Sequence, residues 1–375
     1  MKRPRWLGAG CLAAVALSLC LGCVAPVRRA YEVGVDDAYD RMFTRSEGWT
    51  GGDIASTVPL SESLTLWLFG DSWVGRVFED RHVQAEMINN AVALQAGKGA
   101  SPDGLRFFYG TRNGKPAALF TPPDGRGFYW LSRGGIRTRD GLYLIVSQVV
   151  KKEGDSSVFG FEAVGNSLLF IDNPLDPPTL WRPEILEIPF FERTADGVEI
   201  DFGDPQFIEA GRIYIYGVAF DRPRGNRFML LARAPESRLR DFSAWEFYGG
   251  GRWGSDFKKA EQLCDRFGAE FSVSYVPGIR KYVAIYSDLG MSDKIMMRMA
   301  PAPEGPWSEQ EMVYQTPDPA KDKDYFCSAA KGHAALSGPD NLLVSYVCNS
   351  TDFWKMASDA RIYRPRFIRI LFESP

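Results

Sequence analysis

The feature that most constrains the fold of this chain is a recurrent pattern of short strand-like runs. After residue 30, apolar and polar residues alternate in stretches bounded by Gly, Pro, Asp and Asn, whereas helical periodicity is scarce. The clearest runs, each preceded and followed by another strand-like stretch, are Thr65–Phe69, Leu142–Val150, Arg212–Val218, Lys281–Tyr286 and Asn341–Val347. This pattern predicts an all-β protein with roughly five units of three or four strands each.

The size of these units favours a five-bladed β-propeller with a central channel, because a propeller blade is a four-stranded sheet. The innermost strands of a propeller line its channel, so polar residues at their starts converge. The predicted innermost strands are Ile54–Leu60, Tyr129–Thr138, Pro205–Glu209, Phe271–Val276 and Ala329–Leu336. The alternative, a pair of β-sandwiches, would place a domain boundary near residues 190–200.

The N-terminal segment differs from the rest of the chain. Three basic residues lie within the first five, and an uncharged apolar run, Trp6–Gly22, follows them. This order is typical of a secretory signal. Cys23 comes directly after the small residue Gly22, as in bacterial lipoproteins, although Cys20 stands where leucine is usual. Plain secretion and a retained membrane anchor are the alternatives to lipidation of Cys23.

These observations predict a signal peptide over 1–22, an N-terminal tether over 23–44 and a propeller domain over 45–375. We therefore expect an exported protein that is lipid-anchored to the bacterial cell envelope and meets the membrane through its N-terminal lipid only.

Net charge and the number of histidines exclude some classes of function, and the number of cysteines limits the disulfides. A formal net charge of −3 argues against a nucleic-acid partner, and two histidines argue against a multi-histidine metal centre. Beyond Cys23, three cysteines remain, so at most one internal disulfide forms. Cys327 and Cys348 flank a predicted hairpin and are the preferred pair, although the expected register does not place them directly opposite. Cys264 is then left free.

The strongest local constellation is an acidic pair. Asp53 follows two glycines before one predicted strand, and Asp71 ends the next. If Ser61–Ser63 form the turn and Leu60 pairs with Leu64, Asp53 lies directly opposite Asp71, with Cβ atoms about 4.5–5.5 Å apart. Like charges this close raise one pKa, which divides the general acid and base roles in glycoside hydrolysis. The alternative is that both are turn acids at strand ends.

Later units carry candidates at equivalent places. Asp204 opens the third innermost strand, Glu270 opens the fourth, and His333 falls within the fifth. A carboxylate across the channel can act as general acid while one aspartate of the pair activates water. The alternatives are a turn acid before proline for Asp204, a solvated strand-end charge for Glu270 and a core histidine for His333.

Aromatic and amide side chains near these positions are candidate sugar contacts. Trp73, Trp130 and Trp253 are possible stacking platforms or, alternatively, packing residues between sheets. Asn89 and Asn90 are candidate hydrogen-bond donors to sugar hydroxyls, or simply the start of a strand.

At these residues the chain resembles a family. Gly51-Gly52-Asp53, Phe69-Gly70-Asp71-Ser72 and Ile88-Asn89-Asn90-Ala91-Val92-Ala93 are similar, in this order, to motifs of one group of bacterial five-bladed β-propellers. That group was long a domain of unknown function and includes endo-acting D-arabinanases, and it is similar in architecture to arabinanase and xylosidase propellers. The resemblance runs from about residue 45 to 372.

The resemblance implies that Asp53 and Asp71 are the family's acidic pair. Glu270 matches only by its place in the fourth blade, and Asp204 matches less well. Propellers of this type sometimes hold a structural calcium ion, but no Asp-rich loop with calcium spacing occurs here. We therefore expect no cofactor and no metal ligands.

Two functions follow from these features. The first is a surface-anchored, monomeric glycoside hydrolase that cuts a furanose-rich polysaccharide such as an arabinan by carboxylate acid/base catalysis. The second is a non-catalytic carbohydrate-binding lipoprotein of the envelope with the same fold.

Overall fold

The computed structural model describes residues 30–155 and 157–373, together with Met1. The predicted signal segment and Cys23 lie outside these residues. Two short helices, α1 (Asp37–Met42) and α2 (Phe353–Ser358), accompany an otherwise β-rich chain, so the all-β prediction is confirmed. Over the described ranges, neither helix has the length and apolar character that a bilayer span requires.

The strands follow one another closely along the described chain. In chain order they are β1 (Tyr31–Val35), β2 (Glu47–Gly52), β3 (Ser56–Ser61), β4 (Leu64–Phe69), β5 (Ser72–Phe78), β6 (Arg81–Ile88), β7 (Ala91–Ala96), β8 (Leu105–Phe108), β9 (Gly110–Arg112), β10 (Lys115–Ala117), β11 (Phe128–Trp130), β12 (Gly135–Arg137), β13 (Leu142–Lys151), β14 (Phe161–Ile171), β15 (Glu184–Ile188), β16 (Phe191–Arg193), β17 (Val198–Glu209), β18 (Arg212–Asp221), β19 (Asn226–Pro235), β20 (Glu246–Gly249), β21 (Arg252–Gly254), β22 (Phe271–Val276), β23 (Lys281–Ser287), β24 (Lys294–Ala300), β25 (Glu311–Gln315), β26 (Tyr325–Gly332), β27 (Asn341–Ser350) and β28 (Pro365–Phe372).

Most strands join one of five antiparallel sheets. Sheet I has the order β3-β4-β7-β8, and sheet II has β11-β13-β14-β15 with β12 also paired to β13. Sheet III runs from β16 to β21 in chain order, and sheet IV from β22 to β25. Sheet V has the order β1-β28-β27-β26, so the first strand of the chain pairs with the last. Two smaller sheets, β2-β5-β6 and β9-β10, complete the fold.

The core lies between consecutive sheets. Five apolar clusters each combine side chains of two sheets, for example Leu66 with Leu144 between sheets I and II, and Val283 with Val344 between sheets IV and V. The cluster that holds Trp67 and Leu343 joins sheet V back to sheet I. Every sheet therefore buries both of its faces, which explains why the central strands are almost continuously apolar.

The strands β3, β12, β17, β22 and β26, which we call the inner strands, meet at the middle of this arrangement. Each contacts the next in chain order, and the turn at Ala334–Leu336, directly after β26, contacts β3 again. Residues from all five inner strands line one cavity of about 470 Å³. The five inner strands thus share one cavity.

Several boundaries differ from the sequence-based predictions. The predicted strand Tyr129–Thr138 is divided into β11 and β12 by a short segment in which Gly134 has a φ of 85°. The predicted tether is too long, because β1 pairs with β28 and α1 packs on the same strand, so the folded part begins at Tyr31. The sandwich boundary near 190–200 does not exist, since β16 and β17 pair across it.

The expected register of the two cysteines is also wrong. Cys327 and Cys348 are directly opposite each other on β26 and β27, and they form a disulfide. The error arose because β26 contains an irregularity between Ser328 and Lys331 that shifts the pairing beyond the cysteines. Cys264 is free, and burial raises the pKa of its thiol to about 12.

Candidate active site

The β3-β4 hairpin brings two aspartates together. The predicted register holds from Ser56, which pairs with Leu68, to Pro59, which pairs with Thr65, although a bulge makes Ser61 rather than Leu60 the partner of Leu64. Beyond the hairpin, the backbone N–H of Asp53 donates to the carbonyl oxygen of Asp71 over 3.1 Å. The two residues therefore face each other across the open end of the hairpin.

The local backbone explains why this end of the hairpin is open. Ile54 and Ala55 have φ values of 77° and 49°, in the left-handed region, and they turn the chain from β2 into β3. Gly70 precedes Asp71, and a Cβ atom at this position would lie 2.3 Å from Oδ1 of Asp53. A glycine is required here because the Asp53 carboxyl occupies the space that any other side chain would need.

Only one of the two oxygens of the Asp53 carboxyl accepts a side-chain hydrogen bond. Its Oδ2 accepts a hydrogen bond from the Tyr363 hydroxyl at 2.9 Å, whereas its Oδ1 is buried and has no hydrogen-bond partner. Burial raises the pKa of Asp53 well above its ordinary value, and the nearby charges of Asp71 and Glu270 raise it further. Burial and the neighbouring negative charges therefore favour the protonated form of this carboxyl.

The Asp71 carboxyl is held by two donors. Its Oδ1 accepts hydrogen bonds from Asn89 Nδ2 at 3.0 Å and from Trp130 Nε1 at 2.8 Å. Burial raises the pKa of Asp71 to about 6, and the two donors, together with the positive charge of Lys151, keep it from rising further. At neutral pH most of Asp71 is therefore ionised, whereas the surroundings of Asp53 favour its protonated form.

Glu270 is the third carboxyl of the site. It lies immediately before β22, and burial raises its pKa against the opposing positive charges of Lys331, Arg133 and Arg227. Lys331 is buried on β26, and its Nζ donates to Ser56 Oγ at 2.9 Å and to the carbonyl oxygen of Ser132 at 2.7 Å. One ammonium group thus links the inner strands of sheets V and I to the segment before β12.

Asp204 belongs to a buried ion-pair network rather than to an accessible surface. Arg133 donates from Nη1 to Asp204 Oδ2 at 3.1 Å, from Nη2 to Asp201, and from Nε to Ser147 Oγ at 3.0 Å. The Asp204 side chain is 1% exposed, its Oδ1 has no partner, and burial raises its pKa to about 6. Arg133 and the surrounding strands enclose this carboxyl, and the role of Asp204 as a substrate contact stays a prediction.

Two further candidates are structural. His333 is fully buried, its Nδ1 lies 3.0 Å from Thr57 Oγ1 and its Nε2 lies 2.8 Å from Ser345 Oγ. Burial lowers its pKa to about 3, so the ring is neutral and both nitrogens are used. Asn90 is fully buried and bonds the backbone of Phe120 and Tyr129. Neither side chain is free to contact a substrate, so both predictions are corrected.

The tryptophans divide into three cases. Trp73 is buried and stacks on His82 with ring centres 4.8 Å apart, which leaves no open face for a sugar. Trp253 packs on β21 beneath the Arg233 guanidinium, 4.0 Å from its ring centre, on sheet III. Trp130 is partly exposed and bonded to Asp71, so it is the one predicted platform that the structure places beside the acidic pair.

The structure adds residues that carried no assignment in the sequence. The Tyr363 hydroxyl donates to Asp53, the Arg133 guanidinium donates to Asp204, and the Lys331 ammonium donates to the carbonyl oxygen of Ser132. Asn89, rather than its neighbour Asn90, contacts Asp71. Within the described ranges, no group of three or more His, Cys, Asp or Glu side chains is arranged to hold a metal ion.

The fold and the site together define an all-β protein with three half-buried carboxyls, those of Asp53, Asp71 and Glu270, next to its inner strands. The chain belongs to the family described as Domain of unknown function (DUF5005), which matches residues 36–372. A search among curated proteins finds no match. This match does not show the arabinanase activity that the resemblance implies.

One solved structure of low sequence identity shares the fold, and others show a weaker likeness. A candidate hydrolase from Bacteroides ovatus is 20% identical, with 92% of each chain covered and a TM-score of 0.70. A thermostable family-43 glycoside hydrolase is 15% identical over 86% of this chain and 90% of its own, with a TM-score of 0.45. The family-43 enzyme from Xanthomonas citri, complexed with xylotriose, is 11% identical over 90% and 93%, with a TM-score of 0.41.

Proposed function

We propose that this protein is a glycoside hydrolase built on a five-bladed β-propeller and that it acts on a furanose-rich, arabinan-like polysaccharide. Five sheets that pack face to face in chain order, with sheet V against sheet I, support the propeller. The cavity that all five inner strands line supports a central channel. The similarity to the B. ovatus protein supports the fold, and its description as a candidate hydrolase agrees with the chemistry derived below.

The observation that carries the proposal is the unequal pair formed by Asp53 and Asp71. The two carboxyls share one hairpin end, yet one has a buried oxygen without a partner while the other accepts two N–H donors. Pairs of titratable groups whose environments separate their pKa values mark the acid and the base of a reaction. Asp53 is the protonated member and Asp71 the ionised one.

Hydrolysis needs no further cofactor with this pair. Asp53 donates its proton to the glycosidic oxygen, and the bond between that oxygen and the anomeric carbon breaks. The new bond to the anomeric carbon comes from water that gives its proton to Asp71, or from Asp71 itself, with hydrolysis of the ester afterwards. Glu270 contributes through its charge, which helps keep Asp53 protonated. The polysaccharide is the only partner that this chemistry requires.

The test is reducing-end release from arabinan and from a panel of cell-wall glycans. Asp53→Asn and Asp71→Asn should each lower the rate about 10²–10⁴-fold while the far-UV spectrum and melting behaviour show a folded protein. The exposed Asp103→Asn serves as the matched control and should keep wild-type activity. Wild-type protein that binds a glycan of the panel but never cleaves it would identify the non-catalytic binding protein instead.

We also propose that the protein is exported and anchored through a lipid on Cys23. The basic start and the apolar run before Gly22 support this proposal. In cells, metabolic labelling with a fatty acid and partition into detergent should be lost in Cys23→Ala. If Cys23→Ala keeps the label, the anchor lies elsewhere.

A further inference from the structure

Helix α2 lies on the same face of the molecule as the acidic pair. It belongs to the connection between β27 and β28, and this connection also supplies Tyr363, whose hydroxyl bonds Asp53. Met356 of the helix is buried in a small cluster with Trp73, Ile362 and Tyr363. The helix is therefore packed directly onto the residues that surround Asp53.

The helix is fixed in place by charge as well as by packing. Lys355 Nζ donates to both oxygens of Asp322, at 2.8 and 2.6 Å, and to Oδ2 of Asp324 at 2.7 Å. The side chain of Asp352 accepts a hydrogen bond from the backbone N–H of Trp354 at 2.9 Å, which caps the helix. These contacts hold α2 in one orientation although it has fewer than two turns.

The fixed helix turns two aromatic side chains to solvent. Trp354 is 75% exposed and Phe353 is 36% exposed. Their rings meet edge to face with centres 5.6 Å apart, and Phe353 also lies 5.8 Å from Trp73. A large exposed ring on a rigid support is unfavourable in water unless a ligand covers it, because its apolar area stays hydrated.

A second aromatic side chain lies directly beside the acidic pair. Trp130 bonds Asp71 through Nε1, and its ring packs perpendicular to Phe161 with centres 4.5 Å apart. Each carboxyl therefore has aromatic neighbours: Trp130 bonds Asp71 directly. On the side of Asp53, Phe353 of α2 packs near Trp73, which shares a cluster with Tyr363, the donor to Asp53.

We propose that Trp354, supported by Phe353, is a stacking platform for a sugar residue of the substrate chain some distance from the bond that is cleaved. The proposal deepens the glycoside hydrolase function, since it makes a polymer rather than a disaccharide the preferred substrate. The apolar C–H face of a sugar ring complements the face of an indole, while the sugar hydroxyls stay in water. Continuity with the aromatic surface around the acidic pair favours the glycan over other ligands.

The test compares Trp354→Ala with Trp354→Phe and with Tyr275→Ala. Tyr275 is 45% exposed near the far end of β22, the strand that begins beside Glu270, so it is a matched exposed aromatic outside the platform. For arabinan, Trp354→Ala should raise KM about 3- to 10-fold with kcat unchanged, because an aromatic contact is worth about 0.5–1.5 kcal/mol. Trp354→Phe should retain most of the affinity, and Tyr275→Ala should match the wild type.

A short substrate separates the platform from the catalytic groups. Hydrolysis of an aryl arabinofuranoside, which has a single sugar residue and so no second sugar to occupy the platform, should be equal in Trp354→Ala and in the wild type. Loss of activity on this substrate would show that the substitution damages the site, and an unchanged KM on the polymer would show that Trp354 binds no sugar. Either result overturns the proposal and leaves the hydrolase function standing.

Binding measured without turnover separates this inference from the proposed function. In the Asp53→Asn/Asp71→Asn double variant, glycans that bind should protect Trp354 from iodide quenching, and Trp354→Phe should abolish the protected fraction. Glycan retention that depends on Trp354 in a wild-type protein without turnover would keep the platform and reject the hydrolase. Binding to phosphatidylglycerol vesicles that depends on Trp354, or no glycan retention at all, would reject the platform.

Discussion

Asp53 and Asp71 face each other where the β3-β4 ladder of sheet I ends and the β2-β5 ladder of the small sheet β2-β5-β6 begins. The pairing of Gly52 with Ser72 in the β2-β5 ladder and of Ser56 with Leu68 in the β3-β4 hairpin share one register, and the two aspartates occupy the gap between these ladders. No continuous strand passes through this gap, since Ile54 and Ala55 adopt left-handed φ values. The carboxyls therefore lie at a junction between two strand ladders rather than within a strand.

This arrangement predicts that ionisation of Asp71 lowers the free energy of unfolding of the protein. Asp71 has an ordinary pKa of 3.8, and the fold raises it to about 6. The folded state thus binds the proton more tightly than the unfolded chain, so the contribution of Asp71 to stability is fully present below about pH 4 and is lost as the pH rises through about 6. The loss amounts to roughly 1–3 kcal/mol, since one pKa unit corresponds to about 1.4 kcal/mol.

Replacement of Asp71 by asparagine removes this penalty. Asp71→Asn should exceed the wild type in free energy of unfolding at pH 7–8 by roughly 1–3 kcal/mol, and the difference should disappear near pH 4. Urea unfolding at a series of pH values measures it. The control Asp103→Asn should differ from the wild type by an amount that does not follow this pH course, and a less stable Asp71→Asn at pH 8 would contradict the prediction.

The two hydrogen-bond donors to Asp71 should set the pH at which activity rises on the acidic side of the pH–rate profile. The rate should rise with pH as Asp71 ionises near pH 6. Asn89→Ala and Trp130→Phe each remove one donor to Oδ1, so each should move this rise to higher pH by about one unit, because a hydrogen bond to a charged group is worth about 1.5–3 kcal/mol. kcat/KM measured from pH 4 to 9 tests this, and a shift in only one of the two variants would count against it.

The part of this site that lies within one hairpin was predictable from the sequence. Strand pairing is periodic, so a turn at Ser61–Ser63 places Asp53 opposite Asp71 even though the residues next to the turn form a bulge. The partners of these acids were not predictable by the same reasoning. Tyr363 lies 310 residues from Asp53, and Lys331 lies 275 residues from Ser56, so only the packing of sheet V against sheet I brings them together.

The wrong assignments have a related cause. A strand pattern locates a residue along an element but does not tell which neighbour covers it. Asn89 and Asn90 are adjacent, yet Asn89 bonds Asp71 while Asn90 is enclosed between sheets I and II. His333 lies close to the inner strand β26, but its ring faces Thr57 and Ser345 instead of the cavity.

The disulfide predicts a redox-dependent stability. Cys327 and Cys348 are 21 residues apart, and in the chain-entropy description a bond that closes such a loop stabilises the fold by about 3 kcal/mol. Reduction with dithiothreitol should therefore lower the melting temperature of the wild type. The Cys327→Ala/Cys348→Ala variant should melt at the lower temperature under both conditions, and Cys264→Ala should keep the redox response of the wild type.

The hydroxyl of Tyr363 should control the basic side of the activity profile. It donates to Asp53 Oδ2, and this bond favours the ionised form of the carboxyl, so it lowers a pKa that burial raises. Tyr363→Phe should therefore move the loss of activity at high pH to a still higher pH, while the rise near pH 6 stays in place. Tyr325→Phe, a hydroxyl deletion on the neighbouring β26, should leave both limbs unchanged.

The two sets of variants test which carboxyl has the lower pKa because they act on different limbs of the pH profile. The rise follows the carboxyl with the lower pKa and the fall follows the carboxyl with the higher one. If Asp71 has the lower pKa, Asn89→Ala moves only the rise and Tyr363→Phe moves only the fall. The reverse order of the pKa values would exchange the limbs: loss of the Asn89 donor would then shift the fall, and loss of the Tyr363 hydroxyl would shift the rise. Neither pattern depends on which sugar is cleaved, because each variant changes a carboxyl through a neighbour that the structure shows in contact with it.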